Sequence, residues 1–146
     1  MYDIYHPMYL TINQKLAYIQ LLSYLAKIDS NPELIEKDFM HKLIIRLQIP
    51  AENLQNLQIP NNKDEVYEVL RPIRSREIAV DLVHCLWFAS SMDGVVTDEE
   101  IELIRKIAEI LGLDDNKTLE ISHFVQDELM FFERARQVLE IDEVRC

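Results

Sequence analysis

Residues 92–113 read MDGVVTDEEIELIRKIAEILGL, and this stretch contains the signals that decide the fold. An Asp-Gly pair ends the apolar run before it, and Thr97 followed by Glu100 has the spacing of a capping box that begins a helix. Apolar residues then recur at helical spacing up to Gly112, whose position predicts a left-handed C-cap. The stretch therefore predicts an acidic loop followed by an amphipathic helix.

The rest of the chain has the same helical character. No segment alternates with period two for long enough to predict a strand, so the fold class is all-α. The aromatic residues Trp87, Phe88, Phe131 and Phe132 have apolar neighbours at helical spacing, so we expect them in the core. The other predicted helices run from Thr11, with Gln14 as its capping-box partner, to about residue 29; from Asn31 and Pro32 to Pro50; near 51–57; near 63–70; from Ser75 to about 92; and from about Asn116 to about Leu139.

Composition limits the classes of function. The 146 residues suit one domain, 1–146, and the net charge is −11. Residues 92–146 hold 15 acidic and 6 basic side chains, so this part of the chain carries most of the excess negative charge. Such a surface disfavours nucleic acid and anionic lipid, and it suits a cation or a basic protein partner. We find no signal peptide and no apolar run of membrane-spanning length, so we expect a cytoplasmic protein without membrane insertion; homo-oligomerisation stays open.

An internal repeat relates the two long helical regions. When the chain is shifted by 64 residues, 21–49 lies on 85–113 without a gap, so Asp29 meets Asp93 and Glu36 meets Glu100. Amphipathic helices share apolar positions by default, but they do not require two carboxylates at matching places. The repeat predicts two helix–loop–helix units, about 11–57 and 75–139, joined by an irregular connector of about 58–74.

The paired carboxylates admit two interpretations. If the two loops meet across a pseudo-twofold axis, the four carboxylates converge, repel one another and must bind a cation or protons. Oxygen ligands favour Ca²⁺, Mn²⁺ or Mg²⁺ over Zn²⁺. In the alternative, the acidic loops serve only as turns and helix caps. The sequence disfavours a conventional EF-hand, because Ala89 and Ser91 occupy the positions of its first two ligands.

The motif MDGVVTDEEIELIRKIAEILGL resembles the TerB-like tellurite-resistance family, and residues 26–49, AKIDSNPELIEKDFMHKLIIRLQI, resemble the other half-motif of that family. The resemblance extends over about residues 11–138. It implies a bundle of about seven helices, a bacterial stress or tellurite-resistance context, and a divalent-cation site built from acidic residues of both motifs. A similar domain occurs in DnaJ-type co-chaperones. The residues implied as metal ligands are Asp29, Glu36, Asp93 and Glu100, with Asp98 and Glu99 as peripheral candidates.

The sequence therefore predicts a non-enzymatic, TerB-like domain that binds a divalent metal ion (Ca, Mn or Mg) through paired acidic loops. We identify no catalytic residue, because neighbours such as His84 and Cys85 point about 100° apart on a helix and cannot act as a base and nucleophile pair. The alternative function is an acidic helical adaptor that docks a basic protein partner. In that case the loops are only caps and turns.

Overall fold

A computed structural model of the chain describes residues 9–28, 34–92 and 94–141, with only the backbone described at 34–36. These residues form seven α-helices and no strand, which confirms the predicted all-α, seven-helix fold. The helices are α1 (Ile12–Ile28), α2 (Leu34–Arg46), α3 (Ala51–Gln55), α4 (Lys63–Val69), α5 (Arg76–Ser91), α6 (Asp98–Ile110) and α7 (Asp115–Leu139).

Helix α5 lies at the centre of the bundle. It contacts α1, α6 and α7, and its contact with α7 is the most extensive in the part of the chain that the structure describes. Almost every side chain from Ile78 to Ser91 is buried, as its predominantly apolar sequence predicts. Burial of such a helix on several faces supplies the main hydrophobic stabilisation of the bundle.

Several predicted helix ends are confirmed. Ser75 caps α5 by accepting a hydrogen bond from the backbone N–H of Ile78, and Thr97 forms a capping box with Glu100 at the start of α6. Helix α6 ends at Ile110, and Gly112 just beyond it has a φ of 84°. The backbone N–H of the next residue donates to the carbonyl of Ala108 at 2.8 Å, so the helix ends in a Schellman motif.

The end of α2 differs from the prediction. The helix stops at Arg46 and not at Pro50, because Gln48 takes a left-handed conformation with a φ of 55°. This turn allows Leu47 and Ile49 to be buried on either side of it. Pro50 instead forms the N-cap position of α3. The predicted start of α2 at Asn31 and Pro32 lies outside the described residues.

The connector between the two predicted repeats contains one helix. Helix α4 begins after Asn62, whose side chain caps it, and Val66 and Leu70 are buried against the bundle. Helix positions agree with the 64-residue shift, because α2 shifted by that amount coincides with the range 98–110 of α6. The pseudo-twofold symmetry of the two units and their residue boundaries stay predictions.

Candidate cation site

Glu100 lies in the first turn of α6 and takes part in the capping box there. The Thr97 backbone N–H donates to Glu100 Oε1 at 3.2 Å, and the Thr97 hydroxyl donates to the same oxygen at 3.0 Å. In return, the Glu100 backbone N–H donates to the Thr97 hydroxyl at 3.2 Å. The box therefore employs one carboxylate oxygen, Oε1, and leaves Oε2 for another partner.

The burial of this carboxylate distinguishes it from an ordinary cap. Only 1% of the surface of Glu100 is exposed, although glutamate is almost never fully buried without a partner. Its Oε2 has no hydrogen-bond partner among the described residues. Such a buried polar atom is costly, and in a native protein it usually marks an unseen water, ion or functional role. Helix capping thus accounts for only half of this side chain.

The last turn of α5 precedes the same loop and also carries unsatisfied polar atoms. The hydroxyls of Ser90 and Ser91 are buried and have no hydrogen-bond partner within the described ranges. Between these hydroxyls and Glu100, the loop turns at Gly94, which has a φ of 84° that favours glycine. The backbone N–H of Gly94 donates to the carbonyl of Ser91 at 3.1 Å. Unpaired oxygen atoms therefore flank the acidic loop on both sides.

The other predicted ligands are only partly visible. Asp29 and Asp93 lie outside the described residues, and Glu36 belongs to α2 but its side chain is not described. The peripheral candidates Asp98 and Glu99 are exposed in the first turn of α6, where negative charge favours the helix dipole. Within the described set, no group of three or more His, Cys, Asp or Glu side chains is positioned to hold a metal ion. The four-residue ligand set therefore stays a prediction.

Comparison with protein families matches residues 15–123 to the family described as "Tellurite resistance protein TerB". The chain belongs to the TerB family. The match spans most of the chain and includes both predicted acidic loops of this TerB domain. No curated protein and no solved structure matches the chain. In the described part of the chain, every helix is too short or too polar to cross a membrane.

The TerB bundle also contains a buried polar pair that sequence reasoning missed. His84 on α5 and Glu128 on α7 are both buried, and His84 Nε2 lies 2.5 Å from Glu128 Oε1. In the sequence, His84 was considered only beside Cys85, because its true partner lies 44 residues further along the chain. A signal was present: Glu128 lies at helical spacing from Ile121, Val125 and Phe132, on the apolar face of α7.

A second missed pair joins α1 to α5. The Tyr18 hydroxyl donates to Asp81 Oδ2 at 2.5 Å, and both side chains are buried. Burial, followed by the charge of Asp81 and this hydrogen bond, raises the pKa of Tyr18 well above its usual range. The phenol therefore stays protonated and continues to donate to the carboxylate. The buried carboxylates of Asp81 and Glu128 thus each have a close partner for one oxygen.

Proposed function

We propose that this TerB-family domain is a non-enzymatic protein that binds a divalent cation through its two acidic loops. Glu100 is the central ligand in this proposal, with Asp93 from the loop before α6 and Asp29 and Glu36 from the first half-motif. Asp98 and Glu99 serve as peripheral acidic residues. The single observation that supports the proposal is the buried Glu100 Oε2, which has no partner among the described residues.

A divalent cation suits this donor chemistry. The candidate ligands are carboxylate oxygens, which Ca²⁺, Mg²⁺ and Mn²⁺ prefer, and the set contains no thiolate or imidazole that would favour Zn²⁺. A bound cation would supply positive charge beside the buried carboxylate and offset its desolvation. Because Oε1 is already held by Thr97, the position of the carboxylate is fixed before any ligand binds.

The proposed role is structural and regulatory and does not include catalysis. Cys85 is fully buried in α5, where a thiol behaves as a small hydrophobic group. His84 faces Glu128 inside the bundle, so it is poorly placed to accept a proton from a substrate in solution. These positions favour a binding domain over an enzyme.

Isothermal titration calorimetry of the metal-free protein with Ca²⁺, Mn²⁺ and Mg²⁺ tests the proposal directly. We expect saturable binding of at least one ion and a higher melting temperature, equivalent to about 2.7 kcal/mol when the ion is present at about 100 times its Kd. Glu100→Gln, which keeps Oε1 but replaces Oε2, should abolish both effects. Asp93→Asn and Asp29→Asn should each weaken binding.

Two control variants separate a specific site from general acidity. Glu102→Gln removes an exposed charge from the same helix, and Gln14→Glu creates a second Thr-x-x-Glu box at the start of α1. Both should keep wild-type binding, and Gln14→Glu should add no second site. Absence of binding to the wild-type protein, or equal binding by Glu100→Gln, would refute the cation site.

The alternative adaptor function is supported by a different feature of the chain. Met130 and Phe131 on α7 are 71% and 54% exposed, which corrects the expectation that Phe131 belongs to the core. Val138 and Leu139 are also exposed near the end of the same helix, and residues 127–140 contain four acidic and two basic side chains. Exposed apolar side chains on a segment of net negative charge suit an amphipathic basic partner.

A pull-down with the full chain tests this adaptor function. We expect a partner identified by mass spectrometry to elute as the salt concentration rises, because exposed charges are screened. The double variant Met130→Ser/Phe131→Ser should lose this partner, whereas Leu119→Ser, at another exposed position of α7, should retain it. Capture that ignores salt or survives the double variant contradicts the adaptor function.

We also propose a bacterial stress or tellurite-resistance context, which family membership supports and which needs its own test. In a bacterial strain that lacks this chain, the wild-type protein should restore growth on tellurite, and Glu100→Gln should restore it less if the cation site is required. Equal growth with and without the wild-type chain would argue against a role in tellurite resistance. The cytoplasmic location expected from the sequence stays a prediction.

A further inference from the structure

The segment between α4 and α5 has a charge opposite to that of the chain as a whole. Residues 71–76 read RPIRSR and contain three arginines, although the net charge of the chain is −11. All three arginine side chains are exposed. Neither the proposed cation site nor the acidic adaptor surface uses this segment.

The three arginines line one cleft. Its walls come from the end of α4, the 71–76 segment and the C-terminal end of α6, and its volume is about 440 Å³. Arg71, Arg74 and Arg76 supply positive charge, and no acidic side chain is among its described lining residues. A volume of this size falls in the range of small-molecule sites.

The arginine cleft differs from the cleft next to it in volume and in the charge of its walls. The arginine cleft measures ≈ 440 Å³, and the neighbouring cleft between α4 and α6 measures ≈ 620 Å³. Tyr67 lines both of them. The neighbouring cleft mixes acidic side chains, such as Asp98 and Glu102, with basic ones, so only the arginine cleft has a single sign of charge.

The arginines are available to a ligand. Arg71 forms a two-point ion pair with Glu68, with Nε 2.9 Å from Oε2 and a second N–H that donates to Oε1 at 3.0 Å, and solvent screens this pair because both side chains are more than half exposed. The side chains of Arg74 and Arg76 have no ion pair or hydrogen bond to any described residue. An anion in the cleft would therefore meet two guanidinium groups that need not first break a contact with a described side chain.

The other walls of the cleft are apolar. Leu70 and Ile73 are buried and line it from the connector side, and Ile110 and Leu111 line it from α6. Tyr67 adds an aromatic ring. A ligand that fills the cleft therefore needs an anionic group for the arginines and an apolar or aromatic body for the remaining walls.

We propose that this cleft binds a small organic phosphate, meaning a phosphate ester with an apolar or aromatic body. Arginine presents a planar fork of donors that matches phosphate oxygens in pairs. A phosphate monoester carries close to two negative charges and three acceptor oxygens at neutral pH, so it can engage several arginines at once. A carboxylate has one charge and two oxygens, so it leaves part of this donor set unused.

Nuclear magnetic resonance titration of the full chain, labelled with ¹⁵N at low ionic strength, tests the proposal. The probes are phenyl phosphate, inorganic phosphate, benzoate and benzyl alcohol. Phenyl phosphate should shift the amide signals of residues 67–76 and 110–111 saturably, with a Kd about fivefold or more below those of inorganic phosphate and benzoate, because each of these probes lacks part of the match. Benzyl alcohol, which has no charge, should leave the signals in place.

Two double variants with equal changes in net charge provide the control. Arg74→Gln/Arg76→Gln should weaken phenyl phosphate binding about tenfold or more, because two charge-assisted contacts are lost. Arg134→Gln/Arg136→Gln removes the same charge from exposed positions on α7, outside the cleft, and should change the Kd less than about twofold. Melting temperatures verify that both variants are folded.

Each contrary result overturns a definite part of the proposal. Binding of inorganic phosphate as tight as that of phenyl phosphate refutes the organic body. Benzoate binding as tight as that of phenyl phosphate refutes the preference for phosphate. Equal weakening by the two double variants, or no saturable shift at residues 67–76, refutes the site itself.

Discussion

Two capping boxes with the same spacing occupy different environments in this molecule. At the start of α1, Thr11 and Gln14 exchange hydrogen bonds of 2.9 and 3.2 Å. At the start of α6, Thr97 and Glu100 exchange bonds of 3.2 Å in each direction. Gln14 lies near the surface, whereas Glu100 is buried. The local geometry is shared, and only the surroundings differ.

In each box, one polar atom of the Gln14 or Glu100 side chain takes no part in capping, and the two atoms differ in their partners. Gln14 Nε2 donates to the carbonyl of Pro72 at 3.1 Å, so both polar atoms of its amide have partners. Glu100 Oε2 has none among the described residues. Capping is a local property of four residues, but the cost of the unused atom depends on tertiary burial. This contrast motivates the cation proposal and can be tested by mutation.

The largest expected effect comes from removing a donor from another buried carboxylate. Tyr18→Phe keeps the ring but deletes the hydroxyl that donates to Asp81, so we expect the free energy of unfolding to fall by about 2–3 kcal/mol. Tyr24→Phe on the same helix should cost less than about 0.5 kcal/mol, because no hydrogen bond of its hydroxyl to a described residue is lost. Urea unfolding measures both. Equal costs would contradict the importance of the donor.

The same variant carries a pH dependence with a definite sign. Because the pKa of Tyr18 is raised in the folded protein, the unfolded chain loses this proton near pH 10 while the folded chain keeps it. The resulting stability is present below about pH 10 and is lost as the pH rises above that value. Urea unfolding at increasing pH should therefore show the difference between wild type and Tyr18→Phe shrinking. A constant difference would contradict the raised pKa.

A smaller effect should separate the two boxes themselves. Thr97→Ala removes the donor and acceptor that position the buried Glu100, so we expect a loss of about 2 kcal/mol, at the upper end for a helix cap. Thr11→Ala removes an exposed cap and should cost about 0.5–1 kcal/mol. The two losses are compared by chemical denaturation. If they are equal, burial does not change the energetic role of the box.

The smallest expected effect is that of Glu100→Gln on the free energy of unfolding, and its sign should change when the metal ion is added. In metal-free buffer, Glu100→Gln replaces a buried charge by a neutral amide and should raise the free energy of unfolding by about 1 kcal/mol. With saturating cation the variant should become the less stable protein. The reciprocal change Gln14→Glu should lower the free energy of unfolding by about 1 kcal/mol in both buffers alike, because it replaces the amide that donates to the Pro72 carbonyl and creates no cation site. Thermal melts with and without Ca²⁺, Mn²⁺ or Mg²⁺ provide the comparison.

Most of the fold was predictable because its signals are local. Thr97, Ser75 and Gly112 mark helix ends through hydrogen bonds to residues within four positions, and the structure has the helices where these residues place them. The predicted end of α2 was wrong because Gln48 adopts a left-handed conformation, which glutamine rarely does and which its residue type therefore does not predict. There, the burial of Leu47 and Ile49 prevails over local preference.

The candidate site was predictable only in part. The sequence singled out Glu100 through its repeat partner, but nothing local distinguishes a buried Glu100 from an exposed one. The pairing of His84 with Glu128 was missed because the residues are distant in the chain and meet only where α5 packs on α7. The exposure of Phe131 was likewise missed, because an apolar neighbourhood does not reveal which of two adjacent phenylalanines faces the bundle, and only Phe132 is buried.

The sequence by itself determined that this protein is helical and where most helices begin and end, because capping and amphipathic periodicity act over a few residues. Its resemblance to TerB domains was also visible in the sequence, and the family match over residues 15–123 agrees with it. Only the tertiary structure decided which polar atoms lack partners. Desolvation depends on every element packed around an atom, and these elements come from distant parts of the chain. Gln14 and Glu100 have the same place in the same motif, and packing leaves Gln14 as a cap near the surface and makes Glu100 a candidate ligand.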